Sequence, residues 1–95
     1  MLVDLWDLLL DDANTAKVQA HGVSVRQANE VLVGDPRILR NHAAGNAALM
    51  VVGRDARGRF VTMPIDPTAE HGLWRPRTAY PSKPSDVARY RRQRP

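Results

Sequence analysis

The hydrophobic positions of the first ten residues fit two patterns at once. Leu2, Leu5, Trp6 and Leu9 fall on a helical stripe, whereas Leu8 to Leu10 suit a short buried strand equally well. From Asp11 onward the pattern is clearer. Asp11 or Asp12 caps a helix that passes through Asn14, Lys17 and His21 and stops at Gly22, a residue free to take positive φ. Ser24 followed by Gln27 forms a capping box, with Val23 and Ala28 as its hydrophobic staple, so a second helix is predicted from about Val25 to Val33. Gly34, Asp35 and Pro36 end it, since glycine permits the left-handed turn and proline holds the residue before it extended.

After Pro36 the period shortens to that of sheet. Arg37 to Arg40 is a brief extended piece, Asn41 to Asn46 a small-residue loop, and Ala47 to Gly53 a β-rich run centred on Met50, Val51 and Val52. Asp55 to Gly58 makes a turn. Phe60, Thr62 and Pro64 then alternate with Val61, Met63 and Ile65, as in a strand hairpinned onto the previous one, and Pro64 points to an edge or a strand end. A third extended run spans Leu73 to Tyr80. It sets Leu73, Arg75, Arg77 and Ala79 on one face and Trp74, Pro76, Thr78 and Tyr80 on the other, with Pro76 again marking an edge. Ser85 caps a closing helix through Val87 and Tyr90, which frays into the basic tail 91–95.

These elements predict an α+β fold: a small antiparallel sheet of three or four strands packed against two N-terminal helices, with a C-terminal helix. The chain of 95 residues suits one domain with one modest core. There is no cysteine, which excludes disulfides, thiolate catalysis and cysteine-based metal centres. The apolar runs are far shorter than a membrane span requires, and Asp4 and Asp7 contradict the basic front of a signal peptide, so a cytoplasmic location is expected.

Charge changes sign along the chain. Residues 1–35 carry two basic and six acidic side chains, and residues 36–95 carry twelve and four, giving −4 and +8 within the total of +4. Only Lys17 and Lys83 of the basic residues are lysine, and the planar fork of arginine suits phosphate better than a lysine point charge. The two readings are a polyanionic partner and a merely solvated basic face.

Several familiar sites fail on spacing. Gly53 and Gly58 stand as in a phosphate loop, but Arg59 and Phe60 occupy the places of its lysine and hydroxyl residue. His21, His42 and His71 show no metal-binding spacing, and no cofactor is expected. What remains is a set of cations and proton carriers that suits metal-independent phosphodiester transfer in RNA. There a base activates the 2′-hydroxyl, fixed charge stabilises the phosphate oxygens and an acid protonates the leaving 5′-oxygen. Arg54, Arg75 and Arg77 are candidates for the charge, and His21, Tyr80 or Lys83 for the protons. Each has a plainer alternative. His21 suits the last carbonyls of its helix, Arg54 and Arg59 suit solvation of a turn, and Trp74 and Tyr80 suit packing.

The order of features carries a resemblance. Lys17-Val18-Gln19-Ala20-His21-Gly22-Val23-Ser24 is followed by a helix, Val51-Val52-Gly53-Arg54, the Gly58-Arg59 turn, Trp74-Arg75-Pro76-Arg77-Thr78-Ala79 and Arg89-Tyr90-Arg91-Arg92. Over about residues 11–92 this resembles the BrnT toxins of bacterial toxin–antitoxin pairs, which are related in fold to the RelE/ParE superfamily. The resemblance implies a growth-inhibiting ribonuclease and a cognate antitoxin, a small DNA-binding protein that neutralises it. By matching position it implies a functional set of Lys17, His21, Arg54, Arg59 and Arg75, supported by Arg89 and Tyr90. Such toxins usually end the last strand in Ser-Ala-Arg, whereas this chain has Thr78-Ala79-Tyr80. A phenol can donate a proton or stack on a base, but it cannot neutralise a phosphate.

Overall fold

The structure, a computed structural model, describes residues 3–41 and 47–93. The sequence-predicted loop at Asn41–Asn46 lies almost entirely outside the described residues, as does the end of the basic tail. Helix α1 spans Asp12–Gln19 and α2 Val25–Val33. The strands are β1 (Asp7–Leu8), β2 (Arg37–Arg40), β3 (Leu49–Arg54), β4 (Phe60–Pro67), β5 (Leu73–Pro76) and β6 (Tyr80–Pro81), and helix α3 (Pro84–Arg92) closes the chain.

Both helix starts follow the capping chemistry. Asp11 Oδ1 accepts from the N–H groups of Ala13 and Asn14 (2.9 and 3.1 Å), and Asn14 Oδ1 accepts from the Asp11 N–H at 2.8 Å. Ser24 and Gln27 exchange the equivalent pair at 3.0 Å each. The helix ends differ from expectation. α1 does not reach His21, because the N–H groups of Ala20 and Gly22 tighten back onto the carbonyls of Lys17 and Gln19 and Gly22 takes φ 85°. At the end of α2 the left-handed residue is Asp35 (φ 59°), not Gly34. Gly34 is required for another reason: a Cβ there would stand 2.4 Å from the Arg54 carbonyl oxygen, so only glycine lets α2 close onto the end of β3.

The sheet corrects the expected three or four antiparallel strands. Among the described residues it has six strands and is mixed, in the order β1-β5-β4-β3-β2, with β6 also paired to β4. β1 runs parallel to β5, in the register Asp7↔Leu73 and Leu8↔Trp74, and the two N-terminal helices lie in the chain between β1 and β2. Two departures from the sequence pattern produce the difference. The ambiguous N-terminal run supplies a two-residue strand, and the predicted run from Leu73 to Tyr80 breaks at residues 77–79 into β5 and β6. Pro64 explains where the break falls. In an antiparallel strand the N–H and C=O of one residue face the same neighbour, and the Pro64 carbonyl accepts from the Arg77 N–H at 2.9 Å. The missing N–H of Pro64 therefore faces the interruption. β4 is an interior strand that tolerates proline there, not the edge that Pro64 led us to expect.

Alternation divides the core between the two faces. Val51, Val61, Met63 and Ile65 pack with Val18 of α1, Ala28 and Val31 of α2, and Leu8, Val23 and Ala79. Met50, Val52 and Leu39 pack on the opposite face with Tyr90 of α3 and the half-buried Phe60. Fully burying each such aliphatic side chain contributes about 1.5–3 kcal/mol. α3 is not capped by Ser85. Lys83 holds the cap position without a side-chain bond and Pro84 opens the first turn, where its missing N–H costs nothing.

Candidate functional site

His21 meets Tyr80 and Lys83, some sixty positions later in the chain, at the β6 edge. The His21 ring stands edge-on to the Tyr80 ring, with centroids 6.4 Å apart and planes at 87°, and Lys83 Nζ lies 5.6 Å from the Tyr80 centroid. The bond that ties these segments together is Thr78 Oγ1 to the Lys17 carbonyl at 3.1 Å, which holds the end of α1 against the link between β5 and β6. It also explains why His21 does not serve its own helix. The last carbonyls of α1 are taken by Thr78, Ala20 and Gly22, leaving the exposed imidazole to face Tyr80. The Lys17 side chain is exposed.

Behind Tyr80 is a buried polar cluster. Thr62, paired directly with Tyr80 across the strands, places its hydroxyl 2.7 Å from Ser82 Oγ and donates to Asp86 Oδ2 at 3.0 Å. Thr62 is fully buried and Asp86 nearly so. Burial pushes the Tyr80 phenol above its ordinary value, and the Asp86 carboxylate pushes it further. At neutral pH Tyr80 is therefore a proton donor, not a base.

The other sequence-predicted residues lie elsewhere, each with its own partners. Arg75 grips Asp11 with two bonds, Nη1 to Oδ2 at 2.6 Å and Nη2 to Oδ1 at 3.0 Å. Arg77 Nε donates to Asp66 Oδ2 at 2.6 Å. Arg59 Nε donates to the buried Asp55 at 2.9 Å, within the turn that joins β3 to β4. Arg89 donates to the Arg40 carbonyl at 2.8 Å. Trp74 packs against the core and donates its indole N–H to the Asp4 carbonyl at 2.7 Å, a structural role.

Arg54 belongs to a cluster that sequence reasoning only half found. Its guanidinium lies 5.2 Å from the Phe60 centroid and 5.9 Å from that of Tyr90. Arg91 stands 5.7 Å from Phe60, Arg37 lies 4.3 Å from Tyr90, and the two aromatic rings meet edge to face at 5.2 Å. Arg37 also donates Nη1 to the carbonyls of Tyr90 (2.6 Å) and Gln93, and pairs with Asp35 at 3.5 Å. The hairpin was legible in the sequence, but the register that sets Arg54 opposite Phe60 and the arrival of Tyr90 and Arg91 from α3 were not. Along β4 the row of Arg54 and Phe60 is adjacent to the row of Thr62 and Tyr80.

Among the described residues no three His, Asp or Glu side chains gather as a metal site, and no helix is long and apolar enough to cross a membrane. Comparison with family models, curated proteins and solved structures finds no match for the chain.

Proposed function

We propose that this protein acts on RNA as a metal-independent ribonuclease in the manner of a toxin from a toxin–antitoxin pair, with His21, Tyr80 and Lys83 as its site. The observation that carries this reading is the meeting of His21 with Tyr80 at the β6 edge. In the proposed reaction His21 takes the proton of the 2′-hydroxyl as its oxygen attacks phosphorus. Tyr80 gives its proton to the leaving 5′-oxygen, and Lys83 and Lys17 offset charge on the phosphate. The products are a 2′,3′-cyclic phosphate and a 5′-hydroxyl, and a proton passing from His21 to Tyr80 restores the starting state. A cytoplasmic location and neutralisation by a small DNA-binding antitoxin with an acidic segment belong to the same proposal.

The second reading is a module that binds RNA or a partner without cutting. It is favoured by the pairs Arg75–Asp11 and Arg77–Asp66, which neutralise two cations assigned to the site from sequence. End-labelled RNA incubated with the purified chain in chelator separates the two. Cleavage to cyclic-phosphate ends that falls about 100-fold or more in His21→Ala and Tyr80→Phe supports the ribonuclease. Intact RNA with a folded native protein overturns it and leaves the binding module.

A further inference from the structure

We infer that the Phe60 surface between Arg54 and Arg91 is a docking site for single-stranded RNA, with one base stacked on the Phe60 ring and neighbouring phosphates held by the two arginines. The inference rests on the preceding reading only in taking RNA as the ligand class. It requires no cleavage and uses none of the groups of the His21–Tyr80–Lys83 cluster.

Three observations select this surface and this ligand. Arg54 and Arg91 are both exposed, and among the described residues neither is ion-paired with a carboxylate, unlike Arg26, Arg37, Arg59, Arg75 and Arg77. Their guanidinium groups lie over an aromatic ring, a weak contact at an exposed site, which a phosphate oxygen can outcompete. The ring itself is only half-buried and is steadied from below by Tyr90, whose hydroxyl is tied to the Asp35 carbonyl at 2.8 Å, so the platform is rigid. A ring with flanking cations is the arrangement that reads unstacked bases along a charged backbone, whereas a duplex hides the base faces the ring would meet. An apolar protein partner fits less well, because the exposed large hydrophobic residues among those described are Trp6 and Val33, and neither belongs to this cluster.

Exposed Arg57, at the tip of the adjoining turn, and Arg92, next to Arg91, extend the positive field beyond the ring. Tyr80 pairs with Thr62 in the row next to that of Arg54 and Phe60, so the docking site and the proposed reaction centre are neighbours with distinct residues.

The test uses fluorescence anisotropy with a labelled 2′-O-methyl oligouridylate, which cannot be cut, and a blunt RNA duplex of equal length, over a series of salt concentrations. The full chain is compared with the double variant Arg54→Ala/Arg91→Ala and with Phe60→Leu, which keeps apolar packing against Tyr90. Thermal melting confirms that each is folded. The native chain is expected to prefer the single strand. The double variant should reduce the slope of log affinity against log salt by about 1.4, the share of two phosphate contacts on a single strand. Phe60→Leu should weaken binding at least about fivefold with the slope unchanged. Absence of binding by the native chain, equal affinity for the duplex, or an unaffected double variant would each overturn the inference. Because the probe cannot be cleaved, a chain without ribonuclease activity can still pass this test. Conversely, a ribonuclease whose binding ignores these substitutions loses only the docking site.

Discussion

Arg75 lies across Asp11 in a two-pronged pair, and the same carboxylate caps α1 through the N–H groups of Ala13 and Asn14. Each partner holds the other in its charged form. The Arg75 hydrogen bond, then the Asn14 N–H, keeps the Asp11 carboxyl below its usual range, and Asp11 raises Arg75 in turn. Arg75 thus joins β5 to the start of a helix on which His21 depends. Arg75→Ala is expected to lower the melting temperature, and Asp11→Ala to lower it more, because the second variant also loses the cap. A phosphate ligand would behave differently: Arg75→Ala would then weaken RNA binding at unchanged melting temperature. Thermal melts set beside anisotropy distinguish the two.

Asp55 gives the fold a defined acid sensitivity. Burial alone would push its carboxyl up. The N–H groups of Arg59 and Arg57, the Gln27 amide and the Arg59 guanidinium together overcome this and hold it at about 2, against an ordinary 3.8. Between those values the unfolded chain binds more protons than the folded one, so stability rises with pH. The contribution is complete above about 3.8 and is lost as the pH falls through about 2. Melting temperatures measured from pH 5 to pH 2 should therefore drop most steeply at the low end. Asp55→Asn, which cannot ionise, should start lower and show a flatter profile; an equally steep profile would assign the acid sensitivity to other carboxylates.

β2 is an edge strand whose outward carbonyls are covered by α3. Arg89 donates to the Arg40 carbonyl at 2.8 Å and the Gln93 amide to the Ile38 carbonyl at 3.2 Å. Uncovered strand edges invite pairing with other chains. The double variant Arg89→Ala/Gln93→Ala is accordingly expected to remain folded but to self-associate as concentration rises, seen as increasing mass by light scattering. A variant that stays at the native mass would show that the flanking side chains, rather than these two bonds, protect the edge.

The local elements were legible because their determinants lie within a few residues of one another. The Ser24–Gln27 box and the turn at Pro36 bound α2 at the predicted residues, and the alternation from Phe60 to Ile65 marks β4. The strand count was not legible. A two-residue strand has no period to detect, and Asp7–Leu8 becomes one only because β5, more than sixty positions later, lies beside it. Likewise the alternation from Leu73 to Tyr80 looks continuous until the absent N–H of Pro64 is set opposite residue 77.

The candidate site divides along the same line. Residue chemistry by itself determined which side chains are able to move protons or hold phosphate, and the shift from an acidic first third to a basic remainder, since these are properties of composition and order. Only the tertiary structure decided which of them are committed elsewhere. Asp11 and Asp66 neutralise Arg75 and Arg77, His21 turns from its helix end to Tyr80, and Arg54 gathers with Arg91 at Phe60. The physical reason is that an ion pair or a ring contact depends on distances of a few ångströms between segments remote in the chain. Those distances are fixed by how the two faces of the sheet are packed and not by any spacing along the sequence.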